Sequence, residues 1–190
     1  MEKNNQTAYT ALAQLKEGNK TYLKAETNQA DISLRRRLYT SQNGQSPYAI
    51  VVGCADSRVI PESIFSAGIG ELFVIRAAGN VVDNFALGSV EYAVEHLGCR
   101  LVVVLGHTGC GAVGAAHEKV GGYLAHITSE IKRAIGDEMD GVKASGINAR
   151  NSANKIKELL PKIEGLVVMS ALYHTDNGEV EFFEESGESI

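Results

Sequence analysis

Two stretches of the chain, YAIVVGCADSR at residues 48–58 and LVVVLGHTGCG at residues 101–111, share one layout. In each, a run of apolar, β-prone residues includes a glycine and is followed by charged or metal-ligating side chains. Such apolar runs are typical of strands that are buried on both faces of a parallel sheet. Open α/β sheets hold ligand and catalytic sites at the carboxyl ends of such strands. We therefore expect Cys54, Asp56, His107 and Cys110 to lie together.

Further strands and helices alternate along the chain, which favours an α/β fold. We expect a mainly parallel central β-sheet, flanked by helices, with an antiparallel C-terminal edge hairpin. The hairpin is indicated by Asp176-Asn177-Gly178, a strong turn signal. The predicted strands are residues 48–52, 71–76, 101–105, 166–172 and 179–183. The predicted helices are residues 7–25, 34–41, a short helix from Pro61, 87–97, 111–119, 125–135 and 149–160, with a loop at 136–146.

Length and composition limit the number of domains, the kinds of partner and the cellular location that we expect. The 190 residues predict one domain over 1–190, with an N-terminal helical arm at about 1–42. A net charge of -5 argues against a nucleic-acid or anionic-membrane partner, because either requires a concentrated basic face. The chain contains three cysteines and begins with a polar segment, so we expect a reducing, cytoplasmic location.

Two thiolates and one imidazole from Cys54, His107 and Cys110 form a Cys₂His set, which suits zinc (Zn²⁺). A structural zinc normally has four protein ligands, and Asp56 is a candidate for the fourth in a closed state. Alternatively, Arg58 binds the Asp56 carboxylate by a bidentate hydrogen bond and leaves the fourth position to water. A water on zinc ionises near pH 7, which would give a nucleophile.

Gly111 directly follows a predicted metal ligand at a helix start. Its backbone N–H is therefore a candidate donor to an oxyanion at the metal. The glycines at 68, 70, 79 and 88 form no dinucleotide or phosphate-binding fingerprint, and turns account for them.

These segments resemble the β-class carbonic anhydrases over nearly the whole chain. The similarity includes ALAQLKEGN at 11–19, residues 54–62, GELFVIR at 70–76, Gly79-Asn80, GSVEYAV at 88–94 and residues 106–113. The resemblance implies zinc on Cys54, His107 and Cys110, with Asp56 and Arg58 as the catalytic dyad.

By the same resemblance, Gln45 falls at the position of a glutamine that hydrogen-bonds the substrate. Phe73 and Tyr92 fall where aromatic residues line a narrow pocket that the family shares between subunits, which implies a homodimer or tetramer. The chain also departs from many members: it has Ala77-Ala78 after Arg76, and Val51 where some carry a tryptophan.

The implied function is the zinc-dependent, reversible hydration of carbon dioxide to bicarbonate and a proton by a zinc-bound hydroxide. One alternative is the hydrolysis of carbonyl sulfide or carbon disulfide on the same zinc site. Another is a non-catalytic zinc- or bicarbonate-binding protein. The presence of Asp56, Arg58 and Gln45 beside all three ligands argues against the latter.

Overall fold

The computed structural model describes residues 3–160 and 163–183 of the chain. Its helices are α1 (Ala8–Lys24), α2 (Leu34–Asn43), α3 (Pro61–Ile64), α4 (Asn84–His96), α5 (Gly111–Ala115), α6 (Leu124–Ile135) and α7 (Gly141–Leu159). Its strands are β1 (Ala49–Gly53), β2 (Leu72–Arg76), β3 (Leu101–His107), β4 (Val167–Tyr173) and β5 (Val180–Phe183). A 3₁₀ turn covers Ala78–Asn80.

The strands form one sheet in the order β2-β1-β3-β4-β5. β1 pairs in parallel with β2 and β3, β3 pairs in parallel with β4, and β5 is antiparallel to β4. The predicted fold class is thus confirmed, including the edge hairpin. Within the hairpin loop, the Gly178 N–H donates to the His174 carbonyl at 2.8 Å.

β1 and β3 lie in the interior of the sheet, and every residue in both strands is buried. Their side chains alternate between the two faces, as the pleat requires. Ala49 and Val51 pack with α1 and α3 on one face, whereas Ile50 and Val52 pack with α4 and α7 on the other. Helices therefore cover both faces, and the carboxyl ends of β1 and β3 lie side by side.

The predicted loop over residues 136–146 is confirmed only for 136–140, because α7 begins at Gly141. The Asp140 side chain caps the helix by accepting from the N–H groups of Val142 (2.9 Å) and Lys143 (3.0 Å). The absence of a side chain at Gly106 allows α7 to pack closely on β3. A Cβ on Gly106 would lie 3.0 Å from the Ser145 carbonyl oxygen.

Two other helix boundaries differ from the prediction. α4 begins three residues before its predicted start because the Asp83 side chain accepts from the Ala86 N–H at 2.8 Å. α5 ends at Ala115 rather than at 119. The predicted domain limits, residues 1 and 190, lie outside the described residues.

α2 differs from the other long helices in its burial. No residue of α2 is buried within the described chain. Arg36 links α2 to the segment before β2, because its Nε donates to the Ile69 carbonyl at 2.7 Å. Leu34, Leu38 and Tyr39 are all more than half exposed. No helix in the described part of the chain combines the length and apolarity that crossing a membrane requires.

Candidate metal centre

The structure brings Cys54, His107 and Cys110 together at the carboxyl end of the sheet. Cys54 follows β1, His107 is the last residue of β3, and Cys110 is the N-cap of α5. Their candidate ligand atoms all lie within 4.8 Å of one another, and all three residues are buried. Ligands on one zinc ion, with bonds of about 2.3 Å or less, lie within about 4.6 Å of one another. The cluster has nearly that size.

The His107 ring presents one nitrogen to the cluster. Its Nδ1 lies 3.0 Å from the Thr108 carbonyl oxygen, which can only accept, so Nδ1 carries the proton. The Nε2 lone pair therefore faces the thiols. Nε2 is buried and has no hydrogen-bond partner among the described residues. A buried acceptor without a partner is costly, and a metal ion at this position would satisfy it.

The cluster favours a thiolate at Cys54. The hydrogen bond from Cys110 lowers the pKa of the Cys54 thiol, and so do two backbone N–H groups. Those groups belong to Asp56, at 3.4 Å, and Gly79, at 3.2 Å. The same Cys54 hydrogen bond, together with burial, raises the pKa of Cys110. The cluster thus offers two sulfurs, one of them favoured as a thiolate, and one imidazole nitrogen. This donor set fits zinc.

Asp56 and Arg58 form a bidentate ion pair beside the cluster. Arg58 Nε donates to Asp56 Oδ1 at 3.0 Å, and Nη2 donates to Oδ2 at 2.7 Å. Asp56 Oδ2 lies 3.9 Å from His107 Nε2. The Arg58 hydrogen bond holds the pKa of the Asp56 carboxyl far below its usual range. The carboxylate therefore stays ionised at every physiological pH.

Arg76 is a contributor that the sequence analysis missed. It ends β2, opposite Gly53 of β1. Its Nε donates to the Cys54 carbonyl at 2.9 Å, and its Nη2 donates to the Asp56 carbonyl at 2.6 Å. Arg76 thus holds the backbone that carries both the thiol and the carboxylate. Its place at the carboxyl end of a parallel strand was the available signal.

Gly79 is a second contributor that the sequence analysis missed, because that glycine was assigned only to a turn. It has φ +66, a conformation that favours glycine. In this conformation its N–H points to the Cys54 sulfur, while its carbonyl accepts from the buried Asn148 Nδ2 at 2.8 Å. The 3₁₀ turn is therefore anchored between the cluster and α7.

The four residues assigned to the substrate pocket differ in where they lie relative to the metal cluster. Gly111 is the exposed first residue of α5, next to Cys110. The Phe73 and Tyr92 rings lie 6.2 Å apart, centroid to centroid, and Phe73 is in register with Ile50 near the start of β1. Gln45 precedes β1, whose five residues, about 17 Å of strand, separate it from Cys54. Within one chain, Gln45 does not reach the cluster.

Comparison with known proteins places this site in a family. A family model described as carbonic anhydrase matches residues 49–180, more than two thirds of the chain. A β-carbonic anhydrase of Sordaria macrospora, described as tetrameric, matches 78% of this chain and 86% of its own, with 25% identity and a TM-score of 0.69. The chain belongs to the β-class carbonic anhydrase family.

The similarity to curated members of the family is higher in sequence but partial in length. "Carbonic anhydrase 2" of Mycobacterium tuberculosis is 40% identical over 137 residues, covering 69% of this chain and 66% of the relative. The carbonic anhydrase of Mycolicibacterium smegmatis is 45% identical over 111 residues, covering 58% of this chain and 53% of the relative. The matched regions thus span between half and two thirds of these relatives.

Proposed function

We propose that the protein catalyses the reversible hydration of carbon dioxide to bicarbonate and a proton. The observation that carries the proposal is the buried cluster of two thiols and an imidazole whose Nε2 has no partner among the described residues. Membership of the carbonic anhydrase family supports it. Zinc bound to Cys54, His107 and Cys110 would supply an ionised water as nucleophile near neutral pH.

In this proposal, Asp56 orients the nucleophile as a hydrogen-bond acceptor. Its low pKa keeps it ionised, so it is poorly suited to store the proton that the reaction releases. Arg58 holds the carboxylate away from the cluster, and its Nη2 also donates to the Gly109 carbonyl at 3.0 Å. Gly109 lies between His107 and Cys110. Arg58 therefore links the loop after β1 to the loop after β3.

We also propose that the working unit is at least a homodimer. Gln45, the predicted substrate ligand, follows α2 almost directly, and α2 buries no residue within the described chain. If a second copy covered the exposed face of α2, the Gln45 that adjoins this helix would lie toward the metal centre of that second copy. The tetrameric state described for the Sordaria protein is consistent with such an assembly.

The test is metal analysis and kinetics on one purified preparation. We expect one zinc per chain, and carbon dioxide hydration by stopped flow that exceeds the release of sulfide from carbonyl sulfide or carbon disulfide. Cys110→Ser should lose both zinc and activity. Cys99→Ser is the matched control, because Cys99 is a buried thiol outside the cluster, and it should keep the metal.

Three outcomes would contradict the proposal. Full zinc retention by Cys110→Ser would remove the assigned ligand set. Faster sulfide release than carbon dioxide hydration would favour the hydrolase alternative. Zinc binding with neither activity would favour the non-catalytic binding protein.

A further inference from the structure

The loop after β3 is joined to the loop between β4 and β5 by hydrogen bonds of Thr108. The Thr108 N–H donates to the Tyr173 carbonyl at 3.0 Å, which extends the β3–β4 pairing by one residue beyond His107. The Thr175 N–H donates to Thr108 Oγ1 at 3.0 Å. The hydroxyls of Thr108 and Thr175 also lie 3.0 Å apart.

The directions of these bonds follow from the donors available. Thr108 Oγ1 already accepts from the Thr175 N–H, so its own proton can go to Thr175 Oγ1. Thr175 Oγ1 can then donate to the Thr108 carbonyl, which lies 3.3 Å away. That carbonyl is also the acceptor for the Nδ1 proton of His107, at 3.0 Å. Two donors, one from the ligand and one from Thr175, thus converge on one carbonyl oxygen.

This carbonyl belongs to the peptide unit before Gly109, which has φ +67 and the backbone freedom of glycine. The Thr175 hydroxyl limits rotation of that peptide unit from the carbonyl side. Because the His107 ring is oriented by the same carbonyl, the hydroxyl also limits how far Nε2 can turn from the two sulfurs. Groups that orient a ligating histidine in this way raise metal affinity.

We propose that Thr175 is a positioning residue for the metal centre, acting through the Thr108 carbonyl on the His107 imidazole. The proposal rests on the zinc centre proposed above, and it assigns to the β4–β5 loop a part in holding the metal. Thr175 acts through orientation rather than contact, so its effect should appear in metal affinity and in ligand geometry.

The variant that tests the proposal is Thr175→Val, which keeps the side-chain shape and removes the hydroxyl. Zinc affinity is measured by competition with a chromogenic chelator, and ligand geometry by the visible spectrum of the cobalt(II)-loaded protein. We expect zinc affinity to fall about 10- to 100-fold and the cobalt bands to shift. Thr175→Ser retains the hydroxyl and should restore both wild-type values.

The matched control is Thr21→Val. Thr21 also donates its hydroxyl to a backbone carbonyl, that of Glu17 at 3.1 Å, but on the exposed side of α1. This variant should leave zinc affinity and the cobalt spectrum unchanged. If Thr175→Val does not fold, Thr175→Ala with Thr175→Ser as its rescue provides the same comparison.

Unchanged zinc affinity and an unchanged cobalt spectrum in Thr175→Val would overturn the proposal, as would a Ser variant as impaired as the Val variant. These results are separable from the proposed function, because chelator competition does not depend on turnover. Zinc binding that depends on Thr175 without carbon dioxide hydration would refute only the function. A wild-type protein that binds no zinc would refute both.

Discussion

The Arg58 guanidinium binds both oxygens of the Asp56 carboxylate, at 3.0 Å from Nε to Oδ1 and 2.7 Å from Nη2 to Oδ2. The Arg58 N–H adds a third bond to Oδ1 at 2.9 Å. The Asp56 side chain is only 18% exposed, whereas that of Arg58 is 55% exposed. The carboxylate position next to the cluster is therefore set by a side chain that itself lies largely in solvent.

Arg58→Ala should release Asp56 toward the metal, because two side-chain hydrogen bonds and the link to Gly109 are lost. We expect turnover to fall about 100-fold or more, since orientation of the reacting groups is lost, and to stay depressed at alkaline pH. Zinc content should remain one per chain, because the three ligands are untouched. Stopped-flow hydration between pH 6 and 9, with metal analysis, measures both. Near wild-type turnover would show that Arg58 does not control Asp56.

Gly79→Ala should destabilise the protein and weaken zinc binding. The added Cβ would lie 2.6 Å from Ile131 Cδ1 and 3.1 Å from Ala112 Cβ, at a φ of +66. We expect a loss of about 1–3 kcal/mol in urea unfolding. Gly88→Ala is the control, because it sits within α4 and, apart from its chain neighbours and the nearby backbone of that helix, no described atom lies within 4 Å of the added Cβ. It should gain about 0.5–1 kcal/mol. Equal effects of the two substitutions would contradict the assigned role of Gly79.

Leu38→Glu should dissociate the proposed homodimer. Leu38 is 54% exposed in the single chain and shares a face of α2 with Leu34, four residues before it. Light scattering should give wild-type protein at least twice the chain mass and the variant the chain mass, with reduced turnover. Leu159→Glu on α7, at a site 58% exposed, should keep the wild-type mass. A fully active wild-type monomer would refute the shared site.

Cys99 should make stability decrease above pH 9. Burial raises the pKa of its thiol from 9.0 to about 12. Below pH 9 the thiol is neutral in both the folded and the unfolded chain, so the stability that the buried neutral thiol contributes is complete. Because the folded pKa exceeds the unfolded one, that stability is lost as the pH rises toward 12. Between pH 8 and 10, the wild-type unfolding free energy should fall about 1–2 kcal/mol more than that of Cys99→Ala. Equal pH dependence in urea titrations of the two proteins would count against it.

The sequence predicted those features that depend on neighbours along the chain. The continuous apolar runs of β1 and β3 are enough to identify buried parallel strands, and Cys54 and His107 occur where these strands end. Asn177-Gly178 likewise identified the hairpin. The roles of Gln45, Phe73 and Tyr92, and the cytoplasmic location, stay predictions.

Other features depend on distant contacts, and the sequence could not provide them. Arg76 reaches the Cys54 carbonyl across 22 residues, and the Gly79 N–H reaches its sulfur across 25. The start of α7, which was predicted as loop, contains glycines and a serine, and these are poor helix formers in isolation. Ser145 and Gly146 are buried in the folded chain, and that burial exists only once the sheet has formed.

The sequence by itself thus determined the α/β class, the central strands and which three side chains meet where those strands end. It did so because a continuous apolar run and the position of a side chain after that run are local properties. The tertiary structure alone decided how those side chains are held. Arg76, Gly79 and Thr175 act through backbone N–H and carbonyl groups of distant loops, and folding alone gives those groups their direction.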